Sequence, residues 1–377
     1  MNPTRRAGYR RSEAWAAGLI AAVLLNSHIP GPLLAQDAIA NRVYQNTLRR
    51  IENPAPILAD HPEFFEAIVE QGRFEAPPII DDPQADLAVR AWRFSYNARG
   101  IIEMPNRLRA DQTAIIMVHP WAIDDEWGWR TPQPNGVADF CTPEKNKLAA
   151  KHSREVINPF LERLRGQVAL VMYSLPGQPD PLRTQVYRSF SKTPTEEQRL
   201  RGERDLRKRL AEFDYRGETL PETLTLGPNL PVADYFRQFP GLDAGPRYNG
   251  KGFWELPIPV STSIDVQPDD VVIFDDEGYP ALRDFLKTQQ IRHILLTGYA
   301  TDMCYCRTTA GYENLSQDFN VFLVADASLA TFPSNSSPRF AVNASISFAA
   351  LNQLITQVSW VKPIPTAEEP QASAAPR

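Results

Sequence analysis

Cysteine is scarce. The 377-residue chain has three, Cys141, Cys304 and Cys306. An odd count cannot pair fully within one chain, which argues against a disulfide scaffold and leaves a thiol that could react. A basic excess is also missing. Forty Lys and Arg stand against 45 Asp and Glu, for a net charge of -5, so the electrostatic footprint of a nucleic-acid binder is absent. Long apolar stretches are limited to one, Ala14 to Leu25, which is too short to span a bilayer comfortably. It follows Arg5, Arg6, Arg10 and Arg11 and precedes Leu33-Leu34-Ala35. A basic start, a short apolar segment and a small-residue end are the marks of a signal peptide. Residues 1–35 are therefore expected to direct export to the periplasm or exterior and then be removed. Removal takes away four Arg and one Glu and makes the remainder more acidic, which disfavours anionic membranes. With no second apolar run, no stable membrane insertion is expected after processing.

Ordinary globular composition fills the rest, with 43% hydrophobic and 23% charged residues. Residues 36–110 form an N-terminal extension. Helical spacing of apolar residues predicts helices over 37–51 and 62–72, and two short strands are expected at 88–96 and 100–104. From residue 113 buried strands alternate with amphipathic helices. Strands are predicted at 113–118, 168–173, 270–274, 293–297 and 320–325, each a short apolar run with polar bounds. Helices are predicted at 144–165, at 280–289 with Pro280 in its first turn, from Cys304 to about Leu315, and at 340–358. This alternation implies a three-layer α/β/α fold with a parallel sheet covered on both faces, over residues 111–362. An insertion at about 178–250, with a charged helix over 195–213, suits a lid, a substrate-shaping element, a subunit contact or a plain surface excursion. Residues 363–377, rich in Pro, Ala and Glu, read as a disordered tail.

In an open parallel sheet, ligands bind beyond the C-terminal strand ends. The loop Gly298-Tyr-Ala-Thr-Asp-Met-Cys304 leaves such an end and leads into a predicted helix. A thiol in the first turn of a helix meets the positive end of the macrodipole, and backbone N–H groups there can hold an oxyanion. A small buried Cys that packs helix on sheet is the plainer alternative.

The stretch Leu296-Thr-Gly-Tyr-Ala-Thr-Asp-Met-Cys304-Tyr-Cys-Arg-Thr-Thr-Ala310, with Val321-Phe-Leu-Val-Ala-Asp326-Ala327, resembles the isochorismatase-like hydrolases. The similarity is dense over 268–330 and thin over 113–177. It implies that Cys304 is a nucleophile, that the Tyr299–Ala300 peptide is cis, and that the N–H groups of Ala300 and Cys304 form an oxyanion hole. The implied reaction is hydrolysis of a C–N bond in a small amide or ureido substrate.

Two departures from the family pattern matter. His119 stands at the end of the first strand where the family has Asp. The third strand ends in Asp275-Asp276, with no Lys nearby before Lys287. Cys304, His119 and Asp275 or Asp276 would make a Cys-His-Asp set, in which His takes the thiol proton and a carboxylate orients it. Asp124 and Asp125 are alternative bases. Metal-binding nicotinamidases in the family carry Asp and His after the second strand; Ser174-Leu-Pro-Gly-Gln178 has neither, so no metal or other cofactor is implied. The alternative function is a catalytically silent relative that binds a ligand or partner. A redox role for Cys304-x-Cys306 is a weaker third, because two Cys so close along a helix do not bridge easily. Homo-oligomerisation is left open. Export has a direct check. Mass spectrometry of protein from its host is expected to find residues 1 to about 35 missing, and an intact Met1 terminus in the cytoplasm would refute it.

Overall fold

The computed structural model describes residues 41–120, 124–128, 143–212, 222–238, 256–301, 304–330, 356–357 and 361–364. The chain divides into two units between Val43 and Tyr44; every element below belongs to the second. The expected signal segment lies outside the described residues.

Six consecutive residues, Thr113–Val118, are all buried, as a strand covered on both faces requires. This strand, β5, sits at the middle of a parallel block. The other members are β6 (Leu170–Leu175), β7 (Val271–Phe274), β8 (His293–Tyr299) and β9 (Asn320–Leu329). Their order across the sheet is β9-β8-β5-β6-β7, and every pairing is parallel. The five predicted strands thus share one sheet, with ends shifted by a residue or two and β9 running four residues further than expected.

Alternate side chains feed two cores. Ile115 and Met117 of β5 join one, Ala114, Ile116 and Val118 the other. On the first face, Phe160, Leu161 and Leu164 of α2 (Asn158–Arg165) are buried. On the second face lie Leu282 and Leu286 of α6 (Tyr279–Thr288). Helices on both faces of a parallel sheet make the three-layer α/β arrangement. The helix predicted at 144–165 is α1 (Pro143–His152) and α2 joined by a π-helical turn over Ser153–Ile157.

The N-terminal strands do not stand apart. Leu87–Ser95 (β3) and Gly100–Leu108 (β4) form an antiparallel hairpin. Arg73–Glu75 (β2) pairs parallel with β4, and Arg49–Arg50 (β1) pairs with β2. Thr356–Gln357 (β10) bridges β3 to β9, so the hairpin continues the central sheet. Of the helix predicted over 37–51, residues 37–40 lie outside the described residues and 41–51 form none; no helix forms over 62–72. The apolar spacing there has another cause: Phe64 and Phe65 both donate N–H to His61 O in a turn, which drops both rings into the core. Burial outweighs weak helical periodicity. The helix expected at 340–358 is a strand at 356–357, where the main chain closes the sheet; residues 340–355 lie outside the described residues. The tail expected to be disordered from Pro363 begins in order, because Lys362–Pro363 (β11) pairs with β3 and Ile364 N donates to Asp86 O.

The insertion holds α3 (Arg183–Val186), α4 (Glu196–Ala211) and α5 (Pro231–Arg237). A reciprocal cap between Thr195 and Gln198 starts α4, and its Leu206 and Leu210 are buried in the first core. This part of the insertion is built into the domain rather than being a solvated excursion.

The hairpin is locked by charge. Glu103 on β4 pairs with Arg73 of β2 and Arg90 of β3, and Arg73 and Glu103 are both about fully buried. Removing one partner of a buried pair strands the other charge and costs about 3–5 kcal/mol. Glu103→Ala is therefore expected to lower unfolding free energy by about that much in denaturant titrations. Converting both partners (Arg73→Met with Glu103→Leu) should cost much less; a single variant as stable as wild type would refute the role given to the pair.

Candidate active site

The strand ends of β8, β5, β6 and β7 deliver the site. Val118 and Gly298 are paired at the last rung of β5 and β8. Gly298 has φ +102°, and a Cβ there would lie 2.3 Å from Val118 O and 2.7 Å from Val118 N. Only glycine permits this approach, which seats the Cys304 loop against the residue that follows Val118. That residue is His119. Its backbone is left-handed, at φ +47°, a conformation His adopts more readily than most residues. Its N–H donates to Ser174 O on β6 at 3.0 Å. The imidazole is thereby buried, at 3% exposure, instead of following the strand outward.

His119 Nε2 lies 2.8 Å from Asp275 Oδ2. Asp275 follows β7, and β6 lies between β7 and β5, so the two residues come from strands two places apart. Adjacent strands are about 4.8 Å apart, and the side chains have to span roughly twice that. Ser174 on β6 fills the gap: its Oγ donates to Asp275 Oδ1 at 3.1 Å. Ser174 is fully buried. The sequence reading passed over it, since a Ser at a strand end carries no motif.

Charge around His119 is strongly one-sided. Burial alone would push its pKa down. The negative charges of Cys304 and Asp275, and hydrogen bonds to both, more than offset this and raise it to about 10. With Nε2 on the carboxylate, Nδ1 is the ring nitrogen left over.

Cys304 is buried, at 7% exposure, and opens α7 (Cys304–Arg307). The helix expected to run on to Leu315 is broken. Residues 308–311 turn, and α8 (Tyr312–Leu315) starts afresh. A Cβ on Gly311 would fall 2.7 Å from the backbone N atoms of Arg307 and Thr308, so the chain folds back on itself there. A single turn sums few peptide dipoles, so α7 (Cys304–Arg307) offers little of the field a longer helix would bring to Cys304. The Tyr299–Ala300 peptide is cis. Tyr305 N donates to Ala300 O at 3.1 Å and Thr301 N to Leu329 O at 3.2 Å, so Ala300 is tied into the turn that carries Cys304. Residues 302–303 lie outside the described residues.

The other candidates go elsewhere. Asp276 is exposed; its N–H donates to Gly177 O. Asp124 accepts from Asn146 Nδ2 at 2.9 Å, and Asp125 accepts from Trp127 N and Thr262 N, tying its loop to residues 261–262. Lys287 pairs with Asp318 on the surface. Arg183, buried, donates to Pro176 O, Gln178 O and Ile258 O and lies over the Phe274 ring, fixing the loop after β6 beside the site. Cys141 lies outside the described residues. Among the described residues no group of three metal-ligating side chains is found.

No protein-family model and no curated protein sequence matches the chain. Among solved structures it is similar in fold to a cysteine hydrolase from Pseudomonas syringae pv. phaseolicola (17% identity, TM-score 0.32, covering 67% of this chain and 89% of that one). It is likewise similar to an isochorismatase family protein from Desulfovibrio vulgaris (12%, TM-score 0.32, 66% and 94%) and to a pyrazinamidase of Pyrococcus horikoshii in complex with zinc (17%, TM-score 0.29, 66% and 98%). Similarities this distant establish no residue equivalences.

The charge on His119 has a pH signature. A pKa raised from 6.5 to about 10 contributes stability that is complete below 6.5 and is lost as pH rises through 10. Asp275→Asn removes one of the two raising charges. An NMR titration of the His119 ring in that variant is expected to show proton loss at lower pH than in wild type; an unmoved midpoint would remove Asp275 as a partner.

Proposed function

We propose that the chain is a divergent isochorismatase-like cysteine hydrolase that cleaves a C–N bond of a small amide or ureido compound. The observation that carries this reading is the assembly of Cys304, His119 and Asp275 at one edge of the sheet, from three separate strand ends. The likeness of the Leu296–Ala310 segment to that family agrees with it.

The chemistry follows from the charges. With His119 protonated, Cys304 acts as thiolate and its Sγ adds to the substrate carbonyl, forming a C–S bond. The oxyanion is held by the N–H groups of Ala300 and Cys304. As the C–N bond breaks, His119 Nδ1–H gives its proton to the departing amine, leaving a thioester. A water then adds to the thioester with its proton passing to His119, and the acid leaves as Cys304 regains the thiolate. His119 is thus an acid first and a base second. Asp275, held by Ser174, keeps Nε2–H pointed away from the thiol so that Nδ1 faces it.

The competing reading, a silent binding protein, draws on the His in place of the family's Asp and the missing strand-end Lys. The His119–Asp275 pair opposes it, because it provides in another form the proton transfer those residues would have carried out. A panel of small primary amides and ureido acids separates the two readings. Hydrolysis is expected in wild type, none in Cys304→Ala, and a fall of about 100-fold or more in His119→Ala. Turnover that survives Cys304→Ala would overturn the assignment. So would a wild type that turns over nothing and whose Cys304 reacts with iodoacetamide no faster than a free thiol.

A further inference from the structure

A second polar cluster lies behind the nucleophile loop, and the mechanism above does not use it. His152, the last residue of α1, is completely buried. Its Nε2 is 2.6 Å from Asp326 O and its Nδ1 is 3.2 Å from Tyr299 Oη. A carbonyl can only accept, so Nε2 carries the hydrogen and Nδ1 of the neutral ring accepts. The single hydrogen of the Tyr299 hydroxyl is shared between His152 Nδ1 and Ala149 O, the latter at 3.1 Å, and its oxygen accepts from Ser153 Oγ at 3.0 Å. Burial, with the charges of His61 and Lys145, holds the His152 pKa down at about 4 against the pull of the Asp326 hydrogen bond, so the ring stays neutral well below neutral pH. Phe64 and Phe65 close over it edge-on, 5.3 and 6.2 Å from its centroid.

The main chain explains why an imidazole stands here. The β8–β9 ladder pairs Leu296 with Leu323 but Gly298 with Ser328. Two steps on β8 therefore face five on β9, and Asp326 lies in the bulge with its carbonyl on His152 Nε2. His152 satisfies that carbonyl with one nitrogen and holds Tyr299 with the other. The π-helical turn at 153–157 begins directly after it, inserting the extra residue that turns His152 and Ser153 to the same hydroxyl.

We propose that His152 is a positioning residue for the nucleophile loop: it ties Tyr299 to the bulge of β9 and so sets where Ala300 N–H and Cys304 stand relative to His119. The role rests on the hydrolase reading. Tyr299 is the last residue of β8 and is bonded to Ala300, whose carbonyl is capped by Tyr305 N; a shift of the Tyr299 ring is passed to the turn that bears Cys304. Misplacement of reacting groups by about 1 Å can cost about 100-fold in rate.

The test compares three variants of the full chain. His152→Phe fills the space without hydrogen bonds, Tyr299→Phe removes only the hydroxyl, and His152→Gln restores one donor and one acceptor. The first two are expected to lower kcat by about 30- to 100-fold with KM within about twofold of wild type, and their double variant should be no worse than either alone. His152→Gln should recover most of the loss. The iodoacetamide rate of Cys304 reads the same geometry without turnover and should fall in parallel. A wild type inactive on amides whose Cys304 alkylates no faster than a free thiol would end the hydrolase reading, and the variants' alkylation rates relative to wild type would still decide the positioning role. Full kcat or an unchanged alkylation rate in a folded His152→Phe overturns the proposal, as does a double variant whose losses multiply.

Discussion

Val118 and Gly298 face each other at the last rung of the central parallel ladder, and their separation depends on the side chain that Gly298 lacks. A Cβ there would collide with the Val118 backbone. The closeness lets β8 end in register with β5, so that the loop to Cys304 and the residue His119 leave the sheet side by side. The left-handed backbone of His119, its N–H on Ser174 O and the reach of Asp275 across β6 all assume this starting point.

From that constraint the electrostatics follow. An imidazole sealed from water would ordinarily be neutral, as His152 and His293 are, each with a pKa near 4. His119 is buried to the same degree but has negative charge on two sides, and charge outweighs desolvation. The two buried histidines beside the Cys304 loop thus hold opposite states, His119 cationic and His152 neutral.

The periphery is built to support this edge. The N-terminal hairpin, locked by Arg73, Glu103 and Arg90, extends the sheet beyond β9 through β10, and the bulge of β9 carries Asp326. On the other side, Arg183 ties the loop after β6 to residue 258 and stacks on Phe274, the residue before Asp275. The flank after β6 is thereby pinned by a buried arginine rather than left as a free loop.

The amino-acid sequence by itself determined the parallel block. Five runs such as Thr113–Val118 and Val271–Phe274 are mostly apolar because both faces are covered, and that pattern is local. It also marked Cys304 and His119, since each stands just past a legible strand end. The choice of Asp275 over Asp276 was decided only in three dimensions: the 3-10 turn at 275–277 points the first into the site and leaves the second exposed. Ser174, the broken helix after Arg307 and the joining of the 87–108 hairpin to β9 were equally hidden. Ser174 and the hairpin depend on contacts between residues far apart in the chain, whose energies enter only when the sheet closes. Periodicity records which face of a segment meets the core, but not which distant backbone or carboxylate will stand opposite.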